Sequence, residues 1–119
     1  MATMVSFVEE REAQRSARRE KLSIALDQVV TRLKALGAVR VVVFGSYVDG
    51  RLRRWSDLDV LAVMPPSRSG AEWFRVVGDA VDTDVPVDIL TFTPDELEEA
   101  EVRSGFVRRA LRTGRVVHG

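Results

Sequence analysis

The chain has 119 residues, 45% hydrophobic and 30% charged, with 18 Lys and Arg balancing 18 Asp and Glu. That length fits one domain with one buried core, and the composition is globular, not disordered. Zero net charge argues against a dedicated nucleic-acid binder, so no direct nucleic-acid contact is expected. The lack of cysteine excludes disulfides and thiolate metal sites, and the single histidine, His118, argues against a His-rich zinc site. The first residues lack an apolar signal core, and no apolar run approaches the roughly 18 residues of a membrane span. No membrane partner and a cytoplasmic location are therefore the expectation.

Taken in order, residues 9–21 alternate signs densely, which suits an exposed helix. From Leu22 the apolar residues Leu22, Ala25, Leu26, Val29, Leu33 and Leu36 recur at helical spacing. The two segments join into one helix of about 25 residues ended by Gly37. Residues 1–21 then form a charged helical extension, and residues 22–119 the domain proper. The extension offers either a partner contact or a frayed end.

Residues 39–44 are an apolar, valine-rich run that predicts a strand covered on both faces. Residues 47–55 are a connector, 57–63 a second strand, and 65–70 a loop. Residues 71–81 fit a helix whose core stripe is Trp73, Phe74, Val77 and Val81. Residues 85–92 predict a third strand with Pro86 near its start. Thr93-Pro94-Asp95-Glu96 is a capping box opening a short acidic helix. A helix over 105–112 ends at Gly114, and Val116-Val117 can close as a short strand. The order α-β-β-α-β-α predicts an α/β (α+β) fold with helices on a small mixed sheet. Residues 76–102 hold nine acids and no Lys or Arg, and residues 103–119 hold five arginines and no acid. These blocks read as two solvated faces of opposite sign, or as a polarised surface that orients a partner.

The chemistry concentrates in residues 41–63. Asp57 and Asp59, two apart on a strand, project from one face. Two carboxylates aimed into one volume repel unless a cation sits between them. Mg²⁺ is typically held by one or two carboxylates plus substrate phosphates. The Gly45-Ser46 turn can supply backbone N–H groups and a hydroxyl to such phosphates. Asp88 interrupts the third strand between Val87 and Ile89, a poor place for a charge unless it is paired or metal-bound. If strands two and three are neighbours, Asp57, Asp59 and Asp88 converge. That is the ligand set of a site with two metal ions roughly 3.5–4 Å apart.

Gly45-Ser46, ten residues, then Asp57-Leu58-Asp59 reproduces a GS-x10-DxD pattern, and Gly50 and Ser56 extend it to GS-x3-G-x5-SD-x-D. The pattern resembles the DNA polymerase beta-like nucleotidyltransferase superfamily. Within it, the chain looks like the minimal nucleotidyltransferase branch, whose small domains are often paired with HEPN proteins in toxin–antitoxin modules. The resemblance covers about residues 22–119. It implies transfer of a nucleoside monophosphate, AMP from ATP, to a hydroxyl, with release of pyrophosphate. In that reading Asp57 and Asp59 bridge two Mg²⁺ ions, and Asp88 completes the catalytic metal site and helps deprotonate the acceptor. Gly45, Ser46, Arg54 and Ser56 are the nucleotide-binding candidates. Arg51, Arg53 and Arg54 lie in the connector, where they either meet phosphate oxygens or form a solvated loop. Trp55 and Trp73 read as core or rim packing.

Larger relatives carry a further domain that grips the acceptor, and little chain remains here after the catalytic core. The acceptor site is thus expected from a partner such as a HEPN-family protein, from a homodimer or hetero-oligomer, or from the acceptor protein itself. The implied role is an antitoxin that modifies its partner. The alternatives are a non-catalytic antitoxin or adaptor that acts by binding, and a transferase for a small molecule of the aminoglycoside kind.

Overall fold

The computed structural model describes residues 4–119, with side chains from Ser6 onward. The first helix, α1, runs Met4–Ala35 without a break, 32 residues where about 25 are expected. It stops where the sequence says it must. Gly37 takes φ +100°, its N–H donates to the Lys34 carbonyl at 3.0 Å, and the Ala38 N–H donates to Leu33 at 2.9 Å. This is the paired bonding of a left-handed helix end, which a glycine adopts without Cβ strain. At 1.5 Å per residue α1 spans about 48 Å, in a molecule 61 Å along its longest axis.

The other elements are β1 (Arg40–Phe44), α2 (Ser46–Asp49), β2 (Leu58–Val63), α3 (Gly70–Ala80), β3 (Val87–Phe92), α4 (Pro94–Arg103), α5 (Gly105–Thr113) and β4 (Arg115–His118). The strands form one sheet in the order β3-β2-β1-β4. β1 is antiparallel to β2 and β4, whereas β2 and β3 run parallel, with α3 in the connection between them. The expected small mixed sheet is thus observed.

Strand alternation divides the core into two layers. On one face Val41, Val43, Leu58, Val60 and Ala62 meet Leu22, Leu26, Val29 and Leu33 of α1 and Trp73 and Val77 of α3. On the other, Val42, Phe44, Leu61 and Val63 meet Leu97 of α4 and Val107 and Ala110 of α5. Both faces of β1 and β2 are covered, which is why these strands are apolar almost throughout. Each leucine buried this way contributes about 1.5–3 kcal/mol.

Two local expectations shift. β3 starts at Val87, two residues late, because Pro86 has no N–H to pair; its carbonyl still accepts from Leu58 at 3.3 Å. Phe74, expected in the core stripe of α3, is 61% exposed. Trp73 and Val77, four apart, hold the buried line, and Phe74 sits about 100° round the helix from Trp73. The capping box is present: Glu96 N–H donates to the Thr93 hydroxyl at 3.4 Å, and Glu96 Oε1 accepts from the Thr93 N–H at 2.9 Å. The same oxygen accepts from the Gly70 N–H at 2.9 Å, so one carboxylate ties the starts of α3 and α4. β4 pairs with β1 beyond Gly114, and a ring nitrogen of His118 lies 3.0 Å from the Ala38 carbonyl. No helix among the described residues is long and apolar enough to cross a membrane.

Candidate active site

The topology brings the end of β1 and the starts of β2 and β3 to one edge of the molecule. Phe44 is opposite Asp59 in the antiparallel pair, and Asp59 is opposite Asp88 in the parallel pair. Asp59 and Asp88 are therefore neighbours across two strands, on the face whose deeper positions carry Leu61, Val63, Leu90 and Phe92. Asp57 stands one residue ahead of β2, its side chain 46% exposed. Asp59 is half-buried, between an exposed Asp57 and an exposed Asp88. Burial pushes the Asp59 carboxyl above its ordinary range, and the charges of Asp88 and then Asp57 push it the same way. Like charges beside a half-buried carboxylate are unfavourable until a cation or a proton arrives.

Across β1 the chain turns at Gly45, with φ +77° and ψ −154°, a region essentially reserved for glycine. Space imposes the same choice. A methyl group at Gly45 would collide with the Asp59 carboxylate, so the turn and the acid are in direct apposition. Ser46 opens α2, and the carbonyl of Gly45 accepts from Val48 and Asp49, both at 3.0 Å. Ser46 stands half-buried beside the turn.

The connector is organised by Leu52, which is buried, and by Ser56. The Ser56 hydroxyl accepts from the Arg53 N–H at 2.8 Å, and the Ser56 N–H donates to the Arg53 carbonyl at 3.1 Å. Ser56 thus closes the turn that delivers Asp57. Arg51 is committed to Asp49, with Nη2 at 2.7 Å from Oδ2. Arg54 is exposed and lies over the Trp55 ring at 5.9 Å. Trp73 is in the core, and Trp55, 67% exposed, stands at the rim.

Sequence reasoning missed Arg18. From α1 its Nε–H donates to the Ser56 carbonyl at 2.8 Å, and Nη2 lies 3.8 Å from Asp57 Oδ1. Its side chain is only 15% exposed. The next residue, Arg19, donates to the Tyr47 carbonyl at 3.4 Å and covers the Tyr47 ring at 5.6 Å, with Arg115 over the same ring at 5.7 Å. Adjacent arginines therefore hold the two loops that carry the GS turn and the DxD pair. The signal was present: Arg18 lies four residues before Leu22, on the core-facing line of the helix, where a charge needs a partner.

Among the described residues no three His, Cys, Asp or Glu side chains are close enough to hold a metal ion by themselves. Asp57, Asp59 and Asp88 are instead an open, partial set. They fit a Mg²⁺ ion that draws its remaining ligands from substrate phosphates and water, as such ions commonly do. Burial and the neighbouring Asp88 and Asp57 raise the Asp59 carboxyl, a cost that a bound cation would relieve.

A glycine turn in contact with a half-buried aspartate, flanked by two further carboxylates on a small mixed sheet, defines a fold and site of the nucleotidyl-transfer class. The sequence agrees: the nucleotidyltransferase domain profile matches residues 26–116, and the chain belongs to that family. The fold is also similar to a crystal structure from Sulfolobus solfataricus provisionally classed as a nucleotidyltransferase. The TM-score is 0.63 at 15% identity, covering 87% of this chain and 85% of that one. No curated protein sequence matches the chain. Nucleotidyl transfer is the activity that goes with the family. Arg18 and Arg19 lie outside the residues that the family profile matches.

Proposed function

We propose that the protein transfers AMP from ATP, with Mg²⁺, to a hydroxyl of a partner protein. The observation that carries the reading is the register that sets Asp59 beside Asp88, with Asp57 two residues away and Gly45 against the Asp59 carboxylate. Asp57, Asp59 and Asp88 are the residues that would hold two Mg²⁺ ions. Bound there, the metal supplies charge neutralisation of the triphosphate and of the attacking oxygen. The chain does the positioning. Gly45 and Ser46 offer N–H groups and a hydroxyl to the phosphates, Arg54 offers a guanidinium, and Ser56 holds the connector so that Asp57 stays in line. The acceptor oxygen bonds to the α-phosphorus, the bond to the bridging α–β oxygen breaks, pyrophosphate leaves, and Asp88 takes the hydroxyl proton.

In this reading the acceptor is a protein, as the resemblance to minimal nucleotidyltransferase domains implies. A HEPN-type toxin, bound as a hetero-oligomer and silenced by the modification, is the partner that the family resemblance favours. Incubation with labelled ATP, Mg²⁺ and the candidate partner should label the partner, and Asp57→Asn should abolish the label. No label, together with equal neutralisation by wild type and Asp57→Asn, would reject the reading. The exposed, charged first half of α1 favours a second reading, that of an antitoxin acting by binding alone. It predicts a complex that survives EDTA and the substitutions Asp59→Asn and Asp88→Asn.

A further inference from the structure

The first half of α1 continues the line of the core stripe in altered chemistry. Leu22, Leu26, Val29 and Leu33 face the sheet, and the same face upstream carries Arg18, Arg15, Gln14, Arg11 and Phe7 at three- and four-residue spacing. Here the helix has run past the sheet and overhangs the connector. Between them lies a cleft of about 450 Å³ whose walls are Phe7, Arg11 and Arg15 on the helix and Arg53, Arg54 and Trp55 on the connector. It sets four arginines against a single acid, Glu10. Among the described residues none of these four guanidiniums has a carboxylate partner; the ion pairs involve Arg18, Arg51 and Arg103. The cleft opens beside the catalytic end of the sheet, for Trp55 precedes Asp57 by two residues.

We infer that this cleft is the docking site for an acidic peptide segment of the acceptor protein, placed so that a nearby hydroxyl reaches Asp57, Asp59 and Asp88. The inference rests on the protein-acceptor reading above. Unpaired guanidiniums gathered around one cleft repel each other and call for a multiply charged anion. Each aromatic ring of the cleft carries a guanidinium near one face, Arg11 at 5.2 Å from Phe7 and Arg54 at 5.9 Å from Trp55. In this reading the guanidiniums serve as forks for carboxylates, and the exposed ring surface as an apolar contact for the peptide stem. The chain as a whole is neutral, with none of the general basic field that a nucleic-acid strand would use. A carboxylate-bearing peptide therefore fits better than a strand of phosphates.

The test measures binding apart from catalysis. A short fluorescein-labelled peptide of glutamates around one tyrosine is titrated with the full chain, without nucleotide or metal, and followed by anisotropy. A lysine-containing counterpart and a single-stranded oligonucleotide are titrated alongside. The glutamate peptide should bind at least about tenfold tighter than either, weakening with salt. Arg11→Glu with Arg15→Glu should lower its affinity by about tenfold or more, and the milder Arg11→Gln with Arg15→Gln should lower it less. Both should keep wild-type helix content and wild-type ATP affinity. No peptide binding, tighter binding of the oligonucleotide, or an equal loss from Arg108→Glu with Arg112→Glu on the far basic face would overturn the inference. Partner labelling is run in parallel. Peptide binding without any labelling would count against the transfer reading alone, and labelling without peptide binding against the cleft alone.

Discussion

Glu96 and Asp59 are both carboxylates near the rim of the same sheet, and their surroundings treat them in opposite ways. Glu96 sits at the junction of α3 and α4 and accepts from two backbone N–H groups, those of Thr93 and Gly70. Those bonds hold its carboxyl below the ordinary range, the Thr93 backbone contributing most. Asp59 meets burial and two like charges, and its carboxyl is held above it. The first is a carboxylate whose needs the fold satisfies. The second is left wanting, which is the condition of a group that waits for a ligand.

That contrast breaks most easily at Asp59. Asp59→Asn should cut partner labelling by at least about 10²-fold, since charge aimed at the reacting phosphate is lost, while the chain stays folded by circular dichroism. Retained labelling would mean that Asp59 is no metal or phosphate group. Glu96→Ala should do the reverse, lowering unfolding free energy by about 1–3 kcal/mol with labelling per folded molecule unchanged. A urea titration alongside the transfer assay checks both sides.

Arg18 sharpens the same division from α1. Arg18→Lys keeps the charge but loses the fork that reaches both Ser56 and Asp57, so labelling should fall by about tenfold. The loss should be in kcat more than in the KM for ATP. A drop in thermal stability with no change in kcat would instead make Arg18 a packing residue.

The smallest effect is on pH dependence and turns on the signs. The Asp59 pKa is raised from 3.8, so its share of stability is present below 3.8 and lost as pH rises through the raised value. The Glu96 pKa is lowered from 4.5, so its share is present above 4.5 and lost as pH falls through the lowered value. In metal-free buffer Asp59→Asn should therefore match wild type below pH 3.8 and exceed it slightly near neutrality. Added Mg²⁺ should raise the wild-type melting temperature and close the gap, as any ligand of the folded state does. A wild type that is more stable than Asp59→Asn at neutral pH without metal would contradict the assignment.

The local elements were legible because their signals are local. The α1 stripe and Gly37, the valine run of β1, the Thr93–Glu96 box and the Gly45-Ser46 and Asp57-Leu58-Asp59 spacing each express a backbone requirement within a few residues. Phe74 was misplaced because its burial depends on what lies opposite, and nothing in sequence order says that. The sequence by itself determined the longer helices, the strands to within a residue or two, the family pattern and the three candidate carboxylates, but not the short α2 inside the connector. Only the tertiary structure decided that β2 and β3 pair in parallel with Asp59 beside Asp88, and that Gly45 is pressed against the Asp59 carboxylate. Only it, too, showed that α1 reaches back over the connector to fix Ser56 and Asp57 through Arg18. Strand pairing and helix overhang join residues far apart in the chain, and their partners are chosen by how the whole core packs rather than by any neighbour in sequence.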